Sequence, residues 1–145
     1  MDFNLSDEQK AYQQSASAFA EKELAPHAAK WDEEALFPID VIKRAGSTGF
    51  CSLYTPVEHG GMGLGRLDSS LILEELAKGC TSTTAYLTIH NMATWMIASF
   101  GSKALSSEWC PKLVTGELLA SYCLTEPNAG SDAASLKTTA RLNGD

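Results

Sequence analysis

Apolar residues recur along this chain at helical spacing for most of its length and lose that rhythm near residue 117. Ser6-Asp7-Glu8-Gln9 has the form of a capping box, in which the serine hydroxyl takes the amide three residues on and the glutamine reaches back to the serine amide. A helix is predicted to start there. Behind it Tyr12, Ala16, Phe19, Ala20, Leu24, Ala28 and Trp31 fall three or four apart, one stripe for a core, with Glu21, Lys22 and Lys30 left to solvent. Pro26 withholds a hydrogen bond inside that stripe, which predicts a kink or two abutting helices. Asp32-Glu33-Glu34 reads as a solvated loop. Pro38 suits the first position of a second helix, carried by Ile39, Ile42 and Ala45 and stopped by Gly46 and Gly49. Phe50 to Tyr54, ending at Pro56, reads as irregular. The next helix is expected to open near Asp68, carry Leu71, Ile72, Leu76 and Ala77, and stop at Gly79.

From Gly79 to Ser102 there is no Asp, Glu, Lys or Arg. Tyr86, Leu87, Ile89, Met92, Ala93, Trp95, Met96, Ile97 and Phe100 wrap more than one face, as expected of a helix in the middle of a bundle. A membrane span is rejected because Thr81, Ser82, Thr83, Thr84, Thr88, His90, Asn91 and Thr94 crowd the segment with groups that hydrocarbon would leave unsatisfied. His90 and Asn91 read as satisfied core or interface polar residues. A further amphipathic piece with Leu105, Trp109, Leu113 and Val114 ends near Gly116. Two strand-like runs then follow, Leu118 to Leu124 and Leu136 to Leu142, separated by a polar turn and followed by Asn143-Gly144-Asp145. A strand without a return partner is a poor place for a domain to stop, so the sequence reads as cut. The fold class is therefore an all-α helical bundle over 1–119, followed over 120–145 by the truncated start of a β domain.

Composition narrows the partners. A chain of 145 residues, 44% of them apolar, can bury one main core. Eleven Lys and Arg against 18 Asp and Glu give a net charge of -7 without a basic stripe, so nucleic acid is excluded as a partner. Cys51, Cys80, Cys110 and Cys123 are scattered, with no Cys-x-x-Cys pair and no zinc-knuckle histidine; they read as free thiols, and no metal site is expected. Met1 to Asp7 has neither a signal peptide's apolar region nor a transit peptide's Arg-rich character, which points to the cytoplasm, or to the mitochondrial matrix for a processed chain. Gly60-Gly61-Met62-Gly63-Leu64-Gly65 is not a dinucleotide loop, because its third glycine falls at the wrong spacing and no buried strand precedes it. It reads as a flexible turn.

Thr125 to Asp132 is where polar groups, small residues and a proline are densest. Gly130 and Ala129 admit a ligand close to the backbone, Ser131 and Thr125 offer hydroxyls, and successive amides can form an anion-seeking nest. Two readings stay open on these residues alone: a site for an anionic, phosphate-bearing ligand, and a Ser/Thr or Asx turn between strands.

Cys123-Leu124-Thr125-Glu126-Pro127-Asn128-Ala129-Gly130-Ser131-Asp132, followed by Ser135, resembles the first signature of the acyl-CoA dehydrogenases, flavin-linked enzymes of fatty-acid and branched-chain amino-acid catabolism. Leu5-Ser6-Asp7-Glu8-Gln9, Phe37-Pro38, Gly60 to Leu64, Glu74-Glu75-Leu76-Ala77 and Thr84 to Phe100 are similar to that family's N-terminal helical domain. Thr81 to Tyr86, Ile89 to Met92 and Trp95 to Ile97 look most like the branch acting on isobutyryl-CoA.

The resemblance implies an oxidoreductase that takes an alpha proton and a beta hydride from a short or branched acyl-CoA, giving the 2-enoyl-CoA and reduced FAD. It implies that Tyr122, Cys123, Leu124, Thr125, Glu126, Pro127, Asn128, Ala129, Gly130 and Ser131 line the flavin, that Ser131 also touches the pantetheine arm, and that Glu126 anchors the turn. Asn128 stands where the family often has glycine, and asparagine tolerates a left-handed conformation. The family's catalytic glutamate belongs to a C-terminal domain, so no catalytic residue is expected in this chain; FAD should be held weakly or not at all, without turnover. Acyl-CoA, an electron-transfer flavoprotein and copies of the same chain are the implied partners. The alternatives are a relative among the acyl-CoA oxidases or flavin monooxygenases, and a non-catalytic helical binding or assembly module.

Overall fold

Helix α1 (Asp7–Phe19) starts at the capping box: Gln9 N donates to Ser6 Oγ at 3.1 Å and Ser6 N donates to Gln9 Oε1 at 3.0 Å. The computed structural model describes residues 4–144, so Met1 to Phe3 and Asp145, the last residue of the expected Asn-Gly turn, lie outside the described residues. Pro26 acts as its lack of an N–H requires. The helix widens into a π-helical turn, Ala20–Leu24, closed by Ala25 N donating to Ala20 O at 2.8 Å, and a second helix, α2 (Ala28–Glu33), restarts beyond it. Asp32 and Glu33 are exposed but lie in the last turn of α2, not in a loop.

Helix α3 (Ile39–Ser47) has Pro38 as its cap, one position earlier than expected. The segment from Thr48 to Gly65 then folds back on itself: Met62 N donates to Ser52 O at 2.9 Å and Leu64 N to Leu53 O at 2.8 Å. Phe50, Cys51 and Leu53 are thereby buried although they belong to no helix. Helices α4 (Arg66–Gly79), α5 (Thr81–Phe100) and α6 (Lys103–Val114) complete the bundle. Helix α1 packs on α4, α4 on α5, and α5 on α6. The core collects Ala16, Leu24, Ile42, Leu53, Ile72, Leu76 and Leu87, each no more than 1% exposed.

Two expectations are corrected. Leu118 to Leu124 and Leu136 to Leu142 form no strand; the one β-bridge among the described residues joins Glu126 to Ala129. A strand exists only by pairing, and no other segment here offers an edge to pair with. Second, α5 is not enclosed on every side as a helix at the middle of the bundle would be. Thr83, Thr84, Leu87, His90, Asn91, Ala93 and Thr94 face inward, while Ile89, Met92, Trp95, Met96 and Ile97 are half-buried and Phe100 is 75% exposed. The inward hydroxyls find partners in the preceding turn: Thr94 Oγ1 donates to His90 O at 2.8 Å, Thr84 Oγ1 donates to Cys80 O at 2.9 Å, and Thr83 Oγ1 lies 3.2 Å from Cys80 Sγ. Among the described residues no helix is long and apolar enough to cross a membrane.

Candidate functional site

Helix α5 carries three side chains that organise the chain leaving the bundle. Asn91, fully buried, accepts from Leu53 N at 2.7 Å and donates to Phe50 O at 2.8 Å and Leu87 O at 2.9 Å. It ties the irregular 50–53 segment to the helix. His90, also fully buried, faces the other way, with Nε2 2.9 Å from Leu113 O and Nδ1 3.0 Å from Ala120 N. Because a carbonyl can only accept and an amide N–H can only donate, the proton sits on Nε2 and the bare Nδ1 receives the Ala120 amide. One helical turn earlier the half-buried Tyr86 donates its hydroxyl to Ala120 O at 3.2 Å, its ring set edge-on against Phe37 with centroids 4.8 Å apart. Both backbone groups of Ala120 are therefore held by positions i and i+4 of one helix.

His90 is a satisfied core histidine, and its burial lowers its pKa below the usual 6.5 against the smaller opposing effect of the Leu113 carbonyl. A depressed value means that the unfolded chain binds the proton first. The contribution of neutral His90 is complete above about pH 6.5 and is lost as pH falls below that, toward the folded-state pKa. Urea midpoints measured from pH 7.5 down to 5 should fall for the wild type more steeply than for His90→Gln; parallel curves would refute this.

Past Ala120, no hydrogen bond involves Ser121, Tyr122, Cys123, Leu124 or Thr125 among the described residues. The chain is next fixed at Glu126, whose amide donates to Ala129 O at 3.0 Å and whose carbonyl takes Ala129 N at 3.1 Å. The Glu126 carboxylate accepts from Lys137 N at 2.9 Å, Thr138 N at 2.8 Å and the Thr138 hydroxyl, and these donors, the hydroxyl foremost, hold its pKa below the usual carboxylate range. Glu126 thus fastens the loop across a twelve-residue gap. Asp132 takes the Ser135 hydroxyl and opens a single 3-10 turn, Ala133–Ser135.

Of the ten residues singled out in the sequence, Cys123, Thr125, Pro127, Asn128, Gly130 and Ser131 are exposed, Tyr122, Leu124 and Glu126 are half-buried, and Ala129 is buried. Asn128 does not take the left-handed conformation anticipated for it, since Ala35 is the one non-glycine residue with positive φ among the described residues. The turn closes through the paired 126–129 backbone, which needs no positive φ. Gly130 also lacks a positive φ, and a Cβ built on it would meet nothing within 4 Å. Neither backbone strain nor packing inside this chain requires glycine there.

Elsewhere, Arg66 stacks over Tyr54 at 3.8 Å and faces Trp95 at 5.2 Å, a cluster the sequence did not announce. A cleft of about 300 Å³ between α2, α3 and the start of α5 is lined by Trp31, Phe37, Pro38, Cys80 and Thr83 and shares no residue with the turn. All four cysteines are free, and burial pushes the Cys51 thiol up to about 12. No group of three or more metal-ligating side chains converges among the described residues.

Residues 6–117 match the profile of the acyl-CoA dehydrogenase N-terminal domain. The chain belongs to the acyl-CoA dehydrogenase family. It is 55% identical to the mitochondrial isobutyryl-CoA dehydrogenase of Bos taurus over 136 residues, 94% of this chain and 33% of that protein. Its fold superposes on a glutaryl-coenzyme A dehydrogenase solved with glutaryl-CoA at a TM-score of 0.86, with 35% identity, covering 94% of this chain and 35% of the other. An acyl-CoA dehydrogenase from Bacillus anthracis complexed with FAD gives 0.81, with 33% identity over 97% of this chain and 24% of that one. FAD is the cofactor of the acyl-CoA dehydrogenases. The helices described above are their N-terminal helical domain, and the chain spans about a third of the length of the curated relatives it matches.

Proposed function

We propose that this chain supplies the helical wall and the flavin-facing turn of an enzyme that oxidises a short or branched acyl-CoA to its 2-enoyl-CoA. The observation that carries the reading is the segment 121–131. Its ends are fixed, by α5 at Ala120 and by the Glu126 carboxylate at residues 137 and 138, while the backbone groups of 121–125 stay unpaired and Gly130 faces open space. A segment held at both ends with free donors between fits a planar, phosphate-bearing group better than it fits a self-contained turn. In this reading residues 120–145 begin a second, β-rich unit, whose strands form only by pairing with further segments of that unit.

Held by this segment, FAD would supply the acceptor for a hydride from the beta carbon of the thioester. The residues of this chain bind and orient: amides and the Thr125 hydroxyl offer hydrogen bonds along 122–125, and Gly130 and Ser131 let a pyrophosphate approach the backbone, with Ser131 also reaching the pantetheine arm. None of them is a proton acceptor for the substrate. Glu126 is unsuited to that task because its carboxylate already takes three donors. The 55% identity to an isobutyryl-CoA dehydrogenase supports the branched substrate class.

The test is Gly130→Val in the full-length enzyme. Gly130 has no positive φ and a Cβ on it meets nothing within 4 Å in this chain, so folding of these residues should be unaffected, while FAD affinity falls at least about tenfold, equal to ~1.4 kcal/mol. Titration of the apoenzyme with FAD reads the affinity, and bleaching of the bound flavin by isobutyryl-CoA reads the substrate class. Unchanged FAD affinity would remove the flavin assignment, and bleaching by long straight-chain esters alone would remove the substrate class.

A further inference from the structure

We propose that Tyr86 and His90 are positioning residues for the flavin-facing turn, acting through Ala120 without touching the cofactor themselves; this rests on the flavin reading of residues 122–131. The geometry is a two-point grip on one residue. Tyr86 Oη holds Ala120 O at 3.2 Å and His90 Nδ1 holds Ala120 N at 3.0 Å. Holding one backbone group fixes where a residue sits, whereas holding both on opposite sides also fixes the direction in which the chain leaves it. Tyr122 stands two residues on, within about 7 Å along the backbone. No hydrogen bond of residues 121–125 intervenes before Glu126, so the direction set at Ala120 is carried directly to the atoms that face the ligand.

The grip is itself backed on three sides. Phe37 buttresses the Tyr86 ring, the His90 ring lies 6.1 Å from that of Tyr86, and Leu113 O fixes His90 in the tautomer that leaves Nδ1 free to accept. Protonation at Nδ1 would set an N–H against the Ala120 N–H and release one of the two points. A site supported on rigid helix positions with a locked tautomer holds its geometry to the fraction of an ångström that ligand orientation demands. Cys80, which caps α5, and Ser82 and Thr83 in its first turn line the neighbouring cleft and take no part in the grip.

The experiment compares full-length enzyme carrying Tyr86→Phe, His90→Leu and Gly130→Val with the wild type. Tyr86→Phe deletes one hydroxyl and keeps the ring contact with Phe37. Loss of that hydrogen bond should weaken FAD binding by about three- to tenfold and shift the visible bands of the bound flavin, because the ring's polar contacts move with the turn. His90→Leu should show the same band shift more strongly; where it does not fold, Tyr86→Phe decides alone. A tether that only closes the bundle would lower the unfolding midpoint and leave the flavin spectrum and FAD affinity at wild-type values, and that result overturns the proposal. The two failures separate cleanly. If Gly130→Val loses FAD while Tyr86→Phe matches the wild type, the grip is refuted and the flavin site stands; if Gly130→Val also matches the wild type, both fall.

Discussion

Replacing Asn91 with alanine should destabilise the fold by about 3–5 kcal/mol, more than any other polar substitution in this bundle, as read from denaturant unfolding of wild type and variant side by side. The amide is fully buried and serves Leu53 N, Phe50 O and Leu87 O. Leu87 O lies within α5 and keeps its helical partner, so two orphaned backbone groups decide the magnitude, at about 1–3 kcal/mol each, with a small cavity added. Asn91→Leu separates the two causes. It refills most of the volume and restores neither hydrogen bond, so it should recover little. A leucine variant as stable as the wild type would show that packing, not the amide, holds residues 50–53 against α5.

Gly46→Ala sets two effects of opposite sign against each other. In a helix interior alanine is favoured over glycine by ~1 kcal/mol, and Gly46 has no positive φ to defend. Yet a Cβ there would lie 2.2 Å from Thr115 O, 2.5 Å from Thr115 C and 2.9 Å from Gly116 N. All three are backbone atoms at the end of α6, so no side chain can swing aside and the two helices must part. Overpacking of this kind costs about 3 kcal/mol, which outweighs the propensity gain and leaves a net loss of about 2 kcal/mol. The midpoint of thermal unfolding should drop accordingly. A variant equal to or above the wild type would mean that the α3–α6 contact is loose enough to give way.

What could be read from the sequence divides along a physical line. The capping box, the interruption at Pro26 and the stop at Gly79 are properties of a few neighbouring residues, and each was legible. The extended runs on either side of the turn were not, because a strand is a relation between two segments and apolar alternation cannot say whether a second one is present. The exposure of α5 was misjudged for a similar reason. Apolar residues on more than one face predict a helix at the middle of the bundle, yet Met92 and Trp95 are half-buried, Phe100 is exposed, and threonine hydroxyls satisfied by the preceding turn of their own helix are buried at little cost. The partners of Asn91 and of His90 are backbone groups in irregular segments, and backbone groups leave no trace in composition. The turn itself was legible through its motif, and Glu126 as its anchor; the grip on Ala120 was not, since tyrosine and histidine four apart on a helix are common and only the path of the chain after α6 gives them an object.

The uncharged helix α5 also reverses an ordinary rule of protein engineering. A surface is usually improved by painting charge on the outside and purging hydroxyls from within. On this helix Phe100, 75% exposed, is open to a lysine or glutamate, and the half-buried Met92 and Met96 come next, whereas the buried Thr83, Thr84 and Thr94 should be left as they are. A redesign of the domain for use on its own would therefore alter its greasiest residues and spare its polar ones.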